Sequence, residues 1–162
     1  MALLKGRSNY LCLERLEQQT LGDINMEPET LTQIVAARRW ATATELGDIT
    51  TCHDIPEDSP VWPLITSTND NCLGSDCPQY KECFVLKARR KALEADVVVV
   101  NHHLFMADRV VKDTGFGELI PEADVIIFDE AHQIPDIASQ YFGQQLSSRQ
   151  LFDLTRDITL AY

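Results

Sequence analysis

Asp124-Val-Ile-Ile-Phe-Asp-Glu-Ala-His132 is the stretch on which the reading of this 162-residue chain turns. Four apolar residues in a row, Val125 to Phe128, predict a strand buried on both faces, as inside a parallel sheet. Asp129 and Glu130 follow at once. Carboxylates at the C-terminal edge of such a sheet hold Mg2+ through water and orient a nucleophilic water toward a γ-phosphate. This is the form of a Walker B element, in which Asp129 handles the metal, Glu130 is the general base and His132 couples the site to the rest of a machine. The plainer alternative for the same residues is a helix with Asp129 as its N-cap.

Upstream, Asp96 closes a helical pattern over Gln79 to Ala95, in which Tyr80, Cys83, Phe84, Leu86 and Leu93 can share one side. Val97 to Val100 then predicts a second buried strand, and Asn101-His-His-Leu-Phe-Met106 opens a short helix. Gly115 and Gly117 mark a loop, and Ser147-Ser-Arg-Gln150 fits a capping box for a closing helix at about 148–160. Toward the N-terminus, a short helix begins near Cys12, and another runs from Glu29 to Trp40 with Pro28 at its first turn. Residues 41–76 lose periodicity and predict a long polar loop, which a metal at its far end would anchor.

Such an anchor is at hand. Cys72, Cys77 and Cys83 read C-x4-C-x5-C, and 59 residues separate Cys12 from Cys72. Four soft sulfur donors suit an iron–sulfur cluster or a structural zinc, and on the residues alone cluster, zinc and plain buried thiols all stay open. The gaps of four and five are wider than usual zinc pairs and lean toward the cluster. Cys52-His53 lies in the acidic loop and reads as a packed or free thiol. His102 and His103 read as a turn beside a strand, with no catalytic role.

Composition narrows the classes. An apolar share of 44% with 24% charged residues is that of a globular protein. No apolar run is long enough for a bilayer and no secretory signal opens the chain, so the expected compartment is the cytoplasm and no membrane partner is expected. A net charge of −11 argues against a protein coated on nucleic acid. The charge is zoned, however: residues 41–76 and 113–148 each hold seven acids and no Lys or Arg. Between them, Lys81 to Lys91 carries five basic side chains against Glu82 alone, a phosphate-facing island or a solvated helix face. No G-x-x-x-x-G-K-S/T occurs anywhere, so the phosphate-cradling loop that a Walker B element serves is absent from these residues.

Gly6-Arg-Ser-Asn-Tyr-Leu-Cys12, the Cys72–Cys83 group, Asp96-Val-Val-Val-Val-Asn-His-His-Leu-Phe105 and Asp129-Glu-Ala-His132, in this order and spacing, strongly resemble the iron–sulfur helicases of superfamily 2, the XPD/DinG family. The bacterial DinG-like branch with its YoaA-type members is the nearest likeness, and it covers nearly the whole chain. The resemblance implies a fragment of an ATP-dependent 5′-3′ DNA helicase acting in replication or repair, whose complete form uses Mg2+ and ATP. The implied fold is α/β and mostly helical, with an iron–sulfur domain inserted in an incomplete RecA-like parallel sheet. Residues 1–95 would form the cluster domain with the start of the motor lobe. Residues 96–140 would carry the DEAH box in motor lobe 1, and 141–162 the root of an arch domain.

By the same likeness Cys12, Cys72, Cys77 and Cys83 would ligate a 4Fe–4S cluster, and Asp129, Glu130 and His132 would be the catalytic set. Single-stranded DNA would be the partner, met by Lys87, Arg89, Arg90 and Lys91 together with Lys5 and Arg7; these side chains on one helix cannot all face one way. The remainder of the motor is the other implied partner, since without a Walker A loop the fragment would not be expected to hydrolyse ATP by itself. The reading from another class is a non-enzymatic iron–sulfur or zinc module that binds DNA or protein.

Overall fold

The computed structural model describes residues 1–19, 26–113 and 119–143. The expected Gly115–Gly117 loop and the helix at 148–160 lie outside them. The chain divides into two compact units, Met1–Asn101 and His102–Tyr162. The described residues are mostly helical, with one small parallel sheet.

In the first unit, β1 (Ala2–Leu3) pairs with β2 (Val98–Val99), Ala2 opposite Val98 and Leu3 opposite Val99. The N–H of Ala2 donates to the Val97 carbonyl at 2.8 Å and that of Leu4 to the Val99 carbonyl at 2.9 Å. The expected four-residue buried strand is thus two residues long, and Val97 and Val99 are exposed. A parallel strand is buried only when neighbours and helices cover it, and among the described residues β2 has a single two-residue partner.

The helices follow their sequence signals closely. α1 (Leu13–Gln18) starts directly after Cys12. α2 (Pro28–Ala41) places Pro28 at its first turn, Glu29 near the positive end of the helix dipole, and Arg38 and Arg39 near the negative end. Arg38 also reaches back, its Nη2 donating to the carbonyls of Leu16 at 3.0 Å and Gln19 at 2.7 Å. These are carbonyls at the end of α1, which no helical N–H can satisfy. One arginine therefore caps α1 and ties it to α2, although its own buried Nε finds no partner.

The expected polar loop at 41–76 instead contributes apolar residues to the core. Cys52, Ile55, Val61, Trp62 and Ile65 are all buried, with Ile65 and Val61 fully so. Trp62 and Ile65 lie on a single helical turn, α3 (Trp62–Ile65), with Val61 as its N-cap, and Cys52 closes a 3-10 turn at Ile49–Thr51. Short turns have no long period to read, so their apolar content is legible only once the contacts exist. Trp62 places its Nε1 on the Pro56 carbonyl at 2.8 Å, which satisfies the indole as its ring is buried. Cys52 is a packed thiol, and burial pushes its pKa up.

Between Gln79 and Ala95 the helix is interrupted. A 3-10 turn at Tyr80–Glu82 gives way at Cys83 to α4 (Phe84–Leu93). The buried stripe is Phe84, Val85, Ala88 and Ala92, while Leu93 and Tyr80 point to solvent. Phe84 packs against Gly47, where a Cβ would sit 2.3 Å from the ring. Gly47 also has a φ of +62°, so both its backbone and its surroundings require glycine.

In the second unit, α5 (His102–Asp113) and α6 (Ile134–Phe142) pack together, with Met106 and Ile137 buried. The expected strand Val125–Phe128 is not formed: the run pairs with no strand among the described residues, and all four side chains are exposed. Its composition is that of a strand, yet a strand exists only through partners. Val125 and Ile127 are 75% and 89% exposed, against 44% and 39% for Ile126 and Phe128. That alternation is what an extended segment shows when one side rests on something. No helix among the described residues is long and apolar enough to cross a membrane.

Candidate functional site

The chain around Cys12 is fixed from both sides. Tyr10 and Leu11 form bridges to Asp48 and Thr66, with the Leu11 N–H on the Gly47 carbonyl and the Cys12 N–H on that of Ile65, both at 2.8 Å. Lys5 braces the same segment, its Nζ lying 2.6 Å from Asp48 Oδ2 and 3.1 Å from Thr50 Oγ1, while its N–H donates to the Tyr10 hydroxyl at 3.0 Å. Burial works to raise the Asp48 pKa, but the Lys5 and Thr50 hydrogen bonds prevail and hold it below the ordinary value. For Tyr10 burial dominates, and the phenol is pushed up.

This bracing delivers Cys12 to the rim of a cavity of 240 Å³ that Cys72, Cys77 and Cys83 also line. Each arrives on a different device: Cys12 just before α1, Cys72 ahead of a 3-10 turn, Cys77 after that turn, and Cys83 at the start of α4. Gln79 anchors the intervening loop, donating from Nε2 to Glu17 of α1 at 3.0 Å. Burial raises the Cys77 thiol, and the neighbouring charges of Cys12, Glu14 and Cys83 add to it. Among the described residues no three His, Cys, Asp or Glu side chains are gathered so as to hold a metal ion. The four cysteines share the lining of one cavity with other side chains, Arg7, Leu11 and Tyr80 among them.

The basic side chains divide between interior and surface. Arg7 donates from Nη1 to Cys72 Sγ at 2.7 Å and from Nε to Asn69 Oδ1 at 3.4 Å. Cys72 Sγ also accepts the Gly74 N–H at 3.4 Å. Arg89 lines the cysteine cavity. Lys87 pairs with Glu82 at 2.6 Å, lowering that carboxylate's pKa, and stands 5.3 Å over the Phe84 ring. Arg90 and Lys91 are exposed. The sequence places Arg7 among phosphate contacts; what the spacing conceals is its reach across the chain to a sulfur.

In the second unit, Asp129, Glu130 and His132 are all exposed. Asp129 Oδ1 accepts the Glu130 N–H at 2.9 Å, and His132 Nδ1 lies 3.3 Å from Glu130 Oε2. Glu130 has a left-handed backbone, φ +48° and ψ +41°. Ala131–Gln133 makes a 3-10 turn leading into α6. Asp108 on α5, to which the sequence reading assigns nothing, is the one fully buried acid among the described residues. Its signal in the sequence is Lys112 four residues later, a helical ion-pair spacing.

The described residues thus hold a cysteine-lined cavity, a short parallel strand ahead of the helix that begins at His102, and an exposed acidic pair followed by Ala131 and His132. The family model DEAD_2 matches residues 69–151, just over half of the chain. The chain belongs to this family, the XPD/DinG group of helicases. It is 70% identical over its whole length to the ATP-dependent DNA helicase YoaA of Escherichia coli, covering 26% of that protein. It is 60% identical to the YoaA helicase of Haemophilus influenzae, covering 25% of it. With the ATP-dependent helicase DinG of Mycobacterium tuberculosis it shares 33% identity over 98% of the chain and 25% of the relative. The chain thus spans about a quarter of the length of these relatives.

Proposed function

We propose that this chain is the cluster-bearing and DEAH-box segment of an ATP-dependent, 5′-3′ DNA helicase, with residues 1–95 as its iron–sulfur domain and motor-lobe start, 96–140 in the first motor lobe and 141–162 at the root of an arch. The observation that carries the reading is the 240 Å³ cavity lined by four cysteines drawn from two distant parts of the chain. A single zinc ion needs its donors to meet at one point. A 4Fe–4S cluster takes one thiolate at each corner, so its ligands ring a volume, and the lining of this cavity fits that demand. Cys12, Cys72, Cys77 and Cys83 are the ligands in this reading. The cluster supplies a cross-link that holds the Cys12 segment, the Cys72–Cys77 loop and the start of α4 together.

Asp129 then handles Mg2+ and Glu130 orients the attacking water, with His132 reporting from the nucleotide site. Both carboxylates are open to solvent, as residues that must meet a nucleotide bound by other parts of the motor have to be. Arg90 and Lys91 are the exposed members of the basic helix and the first choice for phosphate contacts with single-stranded DNA. Lys5 and Arg7 act on DNA only if they leave the contacts with Asp48 and Cys72. Lys87 and Arg89 precede that exposed pair on the same helix.

Iron and acid-labile sulfide in the anaerobically purified chain test the proposal. About four irons and four sulfides per chain, with a brown colour, are expected. A colourless protein carrying one zinc would replace the cluster by a structural ion and favour the metal-module reading.

A further inference from the structure

We infer that α5 is a positioning clamp for Asp129 and Glu130, with Asp108 as its anchor, an inference that rests on the catalytic reading of that pair. His102, Phe105, Asp108 and Lys112 recur at helical spacing and share one side of α5. Each of them grips the segment that leads to the acidic pair. Asp108 is 2% exposed, and a carboxylate is buried to that degree only when its oxygens are satisfied. Its Oδ1 accepts the N–H groups of Leu119 at 2.6 Å and Ile120 at 2.9 Å, and its Oδ2 lies 3.1 Å from Lys112 Nζ. Lys112 closes the ring by donating to the Ile120 carbonyl at 3.2 Å. Residues 119 and 120 are therefore held through both kinds of backbone group.

The far end of the same segment is held by aromatic contacts. Phe128, the residue before Asp129, meets Phe105 edge to face with centroids 5.1 Å apart, and His102 stands 6.2 Å from its ring. Beyond the pair, the Gln133 N–H bonds to the Glu130 carbonyl at 3.0 Å, and α6 then packs on α5. The acids are thus approached and left by segments fastened to one helix. Glu130 needs such support, since a left-handed backbone is unfavourable for a residue that carries a Cβ. Asp108 touches no reacting atom in this scheme. It acts by setting where the carboxylates stand, and displacements of that kind are costly to turnover.

The test uses a full-length helicase carrying this segment, with DNA-stimulated ATP hydrolysis measured for three variants. Asp108→Ala, which removes both acceptors, is expected to lower kcat by about ten- to a hundredfold while KM for ATP stays within about twofold. Asp108→Asn, which keeps one acceptor oxygen for the two N–H groups, is expected to recover most of that loss. In the 162-residue chain, amide exchange at Leu119 and Ile120 should accelerate in the alanine variant and much less in the asparagine one. Unchanged exchange at both amides, or unchanged kcat beside accelerated exchange, would overturn the clamp. A loss confined to KM would do the same. Glu130→Gln separates the two readings: if it is inactive while Asp108→Ala is fully active, only the clamp fails. If Glu130→Gln turns over normally, the catalytic reading fails and the clamp falls with it.

Discussion

Ile65 and Ile127 are the same residue, each at or near the end of a short apolar run, and they meet opposite fates. Ile65 in the first unit is fully buried, while Ile127 in the second is 89% exposed. The first unit brings its own neighbours: α1 packs on α2 and α3, and α4 packs on β1. The run Val125–Phe128 has the composition of a parallel strand, pairs with no strand among the described residues, and leans through Phe128 on Phe105 and His102 of α5. Hydrophobicity alone therefore locates a residue that can be buried, and the supply of partners decides whether it is.

The sharpest way to break this contrast is through the cysteines. Cys77→Ser in the cluster-loaded chain is expected to cut iron from about four per chain to below one and to abolish cooperative unfolding of the first unit, since the site closes a loop of about 70 residues. The second unit should keep its α5–α6 helical signal. Equal melting of both units would show that the cluster does not organise the first one alone. Next in size, Ile65→Ala should cost about 2–5 kcal/mol in urea unfolding, whereas Ile127→Ala should stay within about 0.5 kcal/mol. Comparable costs would erase the distinction.

Gly47→Ala probes how tightly the first unit is closed. The new methyl must displace the Phe84 ring and hold a left-handed backbone, an expected loss of about 2–4 kcal/mol. A neutral result would mean that the Gly47–Phe84 contact relaxes freely. The smallest effect is electrostatic. Because the Asp48 carboxyl is lowered in the folded state, its contribution is complete above the unfolded value near 3.8 and is lost as pH falls through the folded one. Lys5→Met should flatten that acid limb by up to about 1 kcal/mol, read from stability at pH 2–5. An acid limb identical to that of the parent would remove the Lys5–Asp48 pair from the account.

The long helices were legible because period, proline placement and end charges all agree, as in α2 from Pro28 to Ala41. Residues 41–76 were not, since Val61, Trp62 and Ile65 sit on turns too short to show a period. The cysteine set could be read from spacing and kinship, but the sulfur partner of Arg7, 65 residues away in sequence, could not. Asp108 escaped for the same reason: its partners at 119 and 120 are backbone N–H groups, which carry no residue identity.

Residue types and their order were enough to mark the four thiols, the acidic pair and the family to which they belong, because that chemistry requires particular atoms at particular intervals. Tertiary structure alone decided that the thiols line one cavity, that Val61, Trp62 and Ile65 of the middle loop are buried, and that α5 grips the approach to Asp129. Those outcomes depend on contacts between distant residues, and a linear sequence does not state which of its segments will become neighbours.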